Sequence, residues 1–242
     1  ETWKDKNNAW QTGGGPIWVT GTYDAQTNQT IWGTGNPTPE FDPTYRPGDN
    51  LFTNSAISYD PNTGNMNWYF QYTPNDMWDY DEVGTHILFD ATVNGQKRTL
   101  ITHSARNGFL YSMERNNGQI LFARPYFEGI NWTKGIDQKT GKPVDYDPKL
   151  DIQVYAGVAT PQPGQPTKRM CPSPSGGNNL PPDRERRRSD TPDEPGEVEG
   201  SHLGAPDSMA RWATEPRGAI KGGLTGGNAG ADPNGSSSRM SR

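Results

Sequence analysis

Cysteine and long apolar runs are the clearest absences from this sequence. Cys171 is its only cysteine, which excludes a disulfide within the chain. A single thiol fits a reducing compartment, a one-thiol domain, or a larger protein whose second cysteine lies elsewhere. No apolar run approaches the roughly 20 residues of a membrane-spanning helix, so no membrane span is expected. The formal net charge of -5 gives no basic surplus, so nucleic-acid binding is not expected either.

Aromatic residues become scarce after Tyr155. Every Tyr and Phe lies at or before that position, and only Trp212 follows it. From Leu180 onward the sequence is first charged, then rich in acid and proline, then rich in glycine and serine. Neither helical nor strand periodicity is present there. We therefore predict a folded region over residues 1–179 and a low-complexity, disordered C-terminal tail over residues 180–242.

The first region repeats a hairpin pattern. A short β-rich run leads into a turn that opens with an acidic residue, and a second run follows that ends in an aromatic. Copies of this pattern occupy residues 18–32, 56–68 and 110–122. A further hairpin, residues 86–103, turns at Asn94-Gly95, which is a strong signal for a type I′ turn. The pattern predicts antiparallel hairpins in series and an all-β fold.

Serial hairpins of this kind fit the blades of a β-propeller, in which the aromatics of one sheet stack on the next. A β-sandwich is the competing interpretation. Long connections rich in Gly, Pro, Asn and Asp, such as residues 36–54 and 73–84, favour the propeller, which places such loops on one face as binding loops.

One short segment carries a chemical signal of its own. Asp79 and Asp81 lie two residues apart within the aromatic-rich stretch Trp78–Val83. In an extended chain, side chains two residues apart point to the same side. Two carboxylates placed in this way form half of a site for a hard cation.

Several sequence blocks occur in the order and approximate spacing of one enzyme family. They are Gly13–Trp18, Gly33–Pro39, Arg46–Asn50, Tyr72–Asp81 and Arg106–Gly108. From about Trp3 to about Asn179 the chain resembles the pyrroloquinoline quinone (PQQ)-dependent methanol/ethanol dehydrogenases. The resemblance implies a fragment of an eight-bladed β-propeller, with PQQ near the axis and a metal ion beside it. The hairpin pattern accounts for roughly three of these blades.

The resemblance also implies contacts with the quinone. Trp18 resembles the indole that lies flat under PQQ, where a rigid aromatic buries area with little loss of entropy. Arg106 resembles the arginine beside the reactive carbonyl, where it stabilises developing charge. Asn179 matches an amide that contacts the quinone. The plainer alternatives are a core aromatic for Trp18 and a surface arginine before a turn for Arg106.

The metal site is implied in the same way. Asn36 resembles the amide ligand, although its block on its own would indicate only a turn. Asp79 resembles the catalytic carboxylate, which neighbours the metal and takes the hydroxyl proton of the alcohol. Asp81 resembles the second aspartate of lanthanide-dependent members, because one more carboxylate offsets the charge of a trivalent ion. A lanthanide is therefore expected, with calcium as the alternative, unless Asp81 is a solvated turn residue.

The implied function is oxidation of a small primary alcohol to an aldehyde. By resemblance, hydride passes to PQQ and electrons then pass to cytochrome c in the periplasm, with a homodimer possible for the complete protein. The isolated chain is expected to be inactive, because ligands and blades are missing from it. The abrupt end of the resemblance near Leu180 favours a reading-frame error or a partial gene over a native disordered tail. A non-enzymatic propeller scaffold and a carbohydrate-binding or carbohydrate-oxidising propeller are the rival functions.

Overall fold

The computed structural model describes residues 2–4, 8–156 and 170–178. A short 3-10 helix at Ala9–Thr12 precedes eight strands. The strands are β1 (Thr22–Asp24), β2 (Gln29–Gly33), β3 (Ser55–Tyr59), β4 (Met66–Gln71), β5 (Ile87–Val93), β6 (Gln96–Ser104), β7 (Phe109–Glu114) and β8 (Ile120–Pro125). The predicted all-β fold is confirmed for this part of the chain.

The strands form two four-stranded antiparallel sheets in chain order, β1-β2-β3-β4 and β5-β6-β7-β8. The hairpin pattern predicted about three blades. Over the described ranges the strands form two complete sheets, and each sheet corresponds to one blade. The difference arises because the Asn94-Gly95 hairpin pairs with the following hairpin into one sheet, through β6 and β7. A further turn, Asp137–Gly141, is closed by an isolated bridge between Ile136 and Pro143.

The turns after β3 and β7 share one backbone hydrogen bond, from a glycine N–H to the carbonyl of the acidic residue that opens the turn. At Asp60–Gly64 the carboxylate of Asp60 accepts the N–H of Asn62 at 2.8 Å, and Gly64 donates its N–H to the Asp60 carbonyl at 2.8 Å. Gly118 bonds the Glu114 carbonyl in the same way at 2.9 Å. Both glycines have positive φ, 72° and 68°, which an L side chain adopts only at a cost. The carboxylate of Asp60 thus holds its own turn, whereas the carboxylate of Glu114 pairs with Arg98.

The hairpin predictions differ in accuracy. Asn94 and Gly95 both have positive φ, 51° and 76°, as a type I′ turn requires, and β5 and β6 flank them with Val93 opposite Gln96. The predicted first strand over residues 18–23 is largely wrong, because pairing with β2 begins only at Thr22. Gly21 lies so close to the Trp32 ring that a Cβ there would be 2.6 Å from it.

The two sheets pack together through β4 and β7. Phe70 on β4 contacts Tyr111 on β7 with ring centroids 5.6 Å apart, and Tyr72 contacts the same ring at 4.9 Å. Trp68, also on β4, lies directly over Gly118 in the turn after β7, where an added Cβ would be 2.5 Å from the indole. Aromatic side chains of the first sheet therefore interlock with the second, as the propeller interpretation predicted.

We expect Gly118→Ala to destabilise the chain more than Gly64→Ala. Both glycines occupy the same turn position with positive φ, which costs an L residue about 1–2 kcal/mol. Only Gly118 faces the buried Trp68 ring, whereas nothing lies within 4 Å of a Cβ at Gly64. Overpacking should add about 1–3 kcal/mol at Gly118. Denaturant unfolding followed by tryptophan fluorescence measures both losses, and equal losses would contradict the packing.

The predicted quinone contact Asn179 and the predicted C-terminal tail cannot be compared with the structure. Residues 179–242, which include Asn179 and the predicted tail, lie outside the described residues. Within the described ranges, the helical segments lack the length and apolar character that a membrane span requires.

Candidate active site

The predicted site residues lie on loops at one end of the two sheets. Because the strands alternate in direction, the loops after β2, β4 and β6 emerge at the same end. Residues 34–54, 72–86 and 105–108 form these loops, and the acidic turns lie at the opposite end. The fold thus brings together Asn36 and Arg106, which are 70 residues apart in the sequence.

The glycine-rich block before β1 pairs with the block after β2. Gly15 donates its N–H to the Asn36 carbonyl at 2.7 Å, and Gly35 donates to the Pro16 carbonyl at 2.9 Å. A Cβ at Gly14 would lie 2.8 Å from the backbone nitrogen of Thr38. Glycine is therefore required for this close approach of two backbones, which fixes the loop that carries Asn36.

Arg106 binds the segment that carries both aspartates. Its Nη1 donates to the backbone carbonyl of Asp79 at 2.7 Å and to Oδ2 of Asp81 at 3.0 Å. The same nitrogen lies 3.8 Å from Oδ2 of Asp79. The other oxygen of Asp81, Oδ1, accepts the backbone N–H of Asn36 at 2.8 Å. The structure therefore brings four of the predicted residues into one cluster, which is Asn36, Asp79, Asp81 and Arg106.

The backbone of Asp79 is held in an uncommon conformation. Its φ is +67°, in the left-handed region that few residues other than glycine adopt. The buried carboxylate of Asp76 accepts the N–H of Trp78 at 3.1 Å and the N–H of Tyr80 at 2.9 Å. These two bonds lie on either side of Asp79. Asp76 thus fastens the loop around the predicted catalytic carboxylate.

Sequence reasoning did not single out Asp76, although an aspartate two residues before a backbone N–H that it accepts is a known turn signal. Arg46, also fully buried, donates through Nη1 to the side chain of Asn50 at 2.9 Å and through Nε to the Pro39 carbonyl at 2.7 Å. Its Nη2 also bonds the Asp76 carbonyl. This arginine ties the loop after β2 to the loop after β4.

The ionisation of Asp79 is shifted toward neutral pH. Partial burial, reinforced by the neighbouring Asp81 carboxylate, raises the pKa of Asp79 to about 6, against the opposing effect of Arg106. A general base is most effective when its pKa lies near the working pH. A cation bound between the two carboxylates would relieve their repulsion and favour the ionised form.

The donor set suits a hard cation in part. Asn36, Asp79 and Asp81 offer oxygen ligands, which calcium and ions of similar size prefer. In the part of the chain that the structure describes, no group of three or more His, Cys, Asp or Glu side chains is arranged to hold a metal. Because such ions take six to eight oxygens, these residues fit as one side of a coordination sphere that needs further ligands.

Trp18 and Asn179 are the two other predicted quinone contacts, and of these only Trp18 lies within the described residues. Trp18 lies in the segment before β1 with 44% of its surface exposed, so it is not a core aromatic. Asn179 lies outside the described residues, but the preceding segment lies against Arg106, because Gly177 donates its N–H to the Arg106 carbonyl at 2.9 Å. A Cβ at Gly176 would lie 1.8 Å from the Arg106 side chain. Gly176 and Gly177 therefore lie beside the site.

The stacked four-stranded sheets and the loop-borne cluster of carboxylates and arginine are features of a β-propeller protein with its site at one end of the blades. A family model described as "Glucose/ethanol/alcohol dehydrogenase, beta-propeller domain" matches residues 1–124, about half of the chain. The chain belongs to this family of PQQ-dependent dehydrogenases.

Named relatives and solved structures agree with this assignment. The chain is 35% identical over 175 residues to the lanthanide-dependent methanol dehydrogenase of Methylorubrum extorquens, covering 72% of this chain and 28% of the relative. It is 35% identical over 184 residues to the quinohemoprotein alcohol dehydrogenase of Comamonas testosteroni, covering 75% of this chain and 24% of the relative. A europium-containing methanol dehydrogenase structure matches with a TM-score of 0.67 and 33% identity, covering 76% of this chain and 30% of that chain. The chain thus spans about a quarter of the length of the curated relatives it matches.

Proposed function

We propose that the full-length protein containing this chain is a PQQ-dependent alcohol dehydrogenase that oxidises small primary alcohols to aldehydes. The observation that carries the proposal is the contact of one Arg106 nitrogen with both Asp81 and the Asp79 segment, at 3.0 and 2.7 Å. This places a fixed cation beside a carboxylate whose pKa of about 6 suits proton abstraction. The membership of the chain in a dehydrogenase family supports the same activity.

The residues of this chain have separate tasks in the proposed reaction. Asp79 accepts the hydroxyl proton of the alcohol, because hydride leaves a carbinol carbon readily only as its oxygen gains alkoxide character. Arg106 stabilises negative charge that develops at the acceptor. Trp18 offers an indole face for stacking, and Asn179 offers an amide contact. When bound, PQQ supplies the two-electron acceptor that takes the hydride.

Asn36, Asp79 and Asp81 would hold the metal in this proposal. The extra carboxylate of Asp81 favours a trivalent lanthanide over calcium, since added negative charge offsets the added positive charge. The printed name of the Methylorubrum relative, a lanthanide-dependent methanol dehydrogenase, supports the same choice. A bound cation would act as a Lewis acid beside the reacting oxygen.

Several wider features remain predictions from the resemblance. They are electron transfer to cytochrome c, a periplasmic location, a homodimer of the complete protein, and a domain boundary at residues 179 and 180. Translation of the encoding DNA in neighbouring frames beyond Leu180 tests the boundary: propeller-like strands in another frame would support a frame error, and their absence would support a native tail.

Reconstitution of the full-length protein tests the proposed activity. Purified protein is incubated with PQQ and either calcium or a light lanthanide, and dye-linked oxidation of primary alcohols is measured. We expect turnover only when both PQQ and a metal are present. Asp60→Asn, in the exposed turn at the opposite end of the sheet, serves as the carboxylate control and should keep parental activity. A protein that binds no PQQ would instead favour the scaffold or carbohydrate functions.

Substitution of Asp81 tests the choice of metal. Asp81→Ala should weaken lanthanide binding and lanthanide-supported turnover by about 10–100-fold, because it removes a charged oxygen ligand. Asp81→Asn keeps an acceptor for the Asn36 N–H, so it separates loss of charge from loss of loop geometry. Metal titration and alcohol turnover with each ion give the readouts. No lanthanide activity in the parent, with equal calcium activity in parent and variant, would overturn the assignment.

A further inference from the structure

A buried polar cluster lies directly behind Arg106, and the proposed reaction does not use it. We call it the Glu82 cluster, and it consists of Glu82, His103, His86 and Tyr72. The Glu82 side chain is fully buried. Its Oε2 accepts the backbone N–H of Arg106 at 3.1 Å and lies 2.9 Å from Nε2 of His103. A carboxylate one residue beyond Asp81 thus reaches across to the backbone of the arginine that binds Asp81.

The backbone of Glu82 is fixed as firmly as its side chain. Its N–H donates to the Thr34 carbonyl at 3.1 Å, in the loop that continues to Asn36. Gly33 packs so closely that a Cβ there would lie 2.0 Å from the Glu82 carbonyl oxygen. Glu82 therefore joins all three loops of the site, through its backbone to the loop after β2 and through its carboxylate to the loop after β6.

The rest of the cluster holds the His103 ring in place. The rings of His103 and His86 stack with centroids 4.2 Å apart and planes 11° apart. Nε2 of His86 lies 2.8 Å from the Tyr72 hydroxyl. On the other side, a Cβ at Gly84 would be 3.0 Å from Cε1 of His103. His86 and the Gly84 backbone therefore pack against the His103 ring, whose Nε2 faces Glu82.

The chemistry of this cluster suits positioning more than stability. A buried carboxylate is costly unless it is paired and hydrogen-bonded, and apolar residues of similar volume often stabilise a fold equally well. What an apolar residue cannot do is bind the Arg106 N–H in one fixed place. That bond fixes the position of the Arg106 backbone, from which the side chain extends to Asp79 and Asp81.

We propose that Glu82, oriented by His103, is a positioning residue that holds Arg106 against the Asp79–Asp81 segment for the reaction. This inference rests on the proposed dehydrogenase function for its consequence in catalysis. Its structural content, the fixed backbone of Arg106, is independent of any cofactor. The two can therefore be tested separately on the full-length protein.

The main test is a double-mutant cycle between Glu82 and Arg106. Glu82→Leu removes both acceptor oxygens at similar volume, and Glu82→Gln keeps one oxygen for the Arg106 N–H. We expect Glu82→Leu to lower PQQ affinity and kcat by about 10-fold, and Glu82→Gln to stay within about threefold of the parent. In an Arg106→Lys background the effect of Glu82→Leu should shrink to less than about twofold, because coupled residues are not additive. PQQ affinity is measured by quenching of tryptophan fluorescence.

Amide hydrogen exchange gives a readout that needs neither cofactor nor activity. Peptides that include Arg106 should exchange about 10-fold faster in Glu82→Leu than in the parent, whereas the Asp60–Gly64 turn should be unchanged. Glu114→Gln is the matched control, since Glu114 pairs with Arg98 and lies at the end of β7 opposite the site loops. If Glu82→Leu does not fold, Glu82→Asp replaces it, and its effect should exceed that of Glu82→Gln in the same directions, because the shorter carboxylate no longer reaches the Arg106 N–H.

The outcomes separate the two claims. Equal effects of Glu82→Leu in both Arg106 backgrounds, or unchanged exchange at Arg106, would overturn the positioning role. A parent that binds no PQQ would overturn the proposed function, and exchange at Arg106 alone would then decide the role of Glu82. Faster exchange together with a cycle that couples Glu82 to Arg106 would support both.

Discussion

Asp79→Asn is expected to lower kcat for alcohol oxidation by about 10³–10⁴-fold in the full-length protein. Removal of a general base alone costs about 10²–10⁴-fold, and Asp79 is also a proposed metal ligand, which places the loss toward the upper end. Asparagine has the same shape as aspartate and tolerates the positive φ of 67° at this position. The loss should therefore reflect proton transfer and charge, with the loop retained.

Steady-state turnover and thermal melting of the same samples check this prediction. Asp79→Asn should melt within a few degrees of the parent, and Asp60→Asn should match the parent in both measurements. Retention of more than a tenth of parental kcat in Asp79→Asn would show that another group removes the proton.

Arg106→Lys is expected to lower kcat by about 10²–10³-fold, the range seen when one preorganised donor to developing charge is removed. Lysine keeps a positive charge but lacks the planar fork of donors. In this site the guanidinium bonds the Asp79 carbonyl and the Asp81 carboxylate from one nitrogen. A single ammonium on a flexible stem would not hold both bonds while it also faces the acceptor.

The matched control for this substitution is Arg124→Lys. Arg124 lies on β8 opposite Leu110, and its guanidinium is 5.8 Å from the centre of the Phe122 ring. Turnover and PQQ affinity are measured for both variants. Equal behaviour of Arg106→Lys and Arg124→Lys would mean that charge at position 106 is sufficient, or that Arg106 takes no part in the reaction.

Local features of the fold were predictable because their causes lie within a few residues. The turn at Asn94-Gly95 needs two residues with positive φ, and both have it. The acidic residues Asp24 and Asp60, which open two of the turns, accept backbone N–H groups only two positions away. The grouping of hairpins into two sheets was not predictable in the same way. It depends on the pairing of β6 with β7, which a hairpin pattern read one copy at a time does not contain.

The residues of the site were also predictable in part only. Sequence blocks singled out Asn36, Asp79, Asp81 and Arg106, and the fold brings these four together. The same reasoning passed over Asp76 and Glu82. Aspartate and glutamate next to a recognised motif look like ordinary solvated residues in a sequence. Their importance appears only when burial removes water and leaves the backbone N–H groups of Trp78, Tyr80 and Arg106 as their partners.

The sequence by itself determined the β-rich class of this protein, its turns and the residue types available for its chemistry, because propensity and turn geometry act over short stretches. Only the tertiary structure decided which carboxylates face solvent, which one sits opposite Arg106, and which ones hold the loops in place. Contacts such as the one from Glu82 to Arg106, 24 residues apart along the chain, depend on how the two sheets pack. Desolvation and distance, which set the pKa of Asp79, are fixed at the same step.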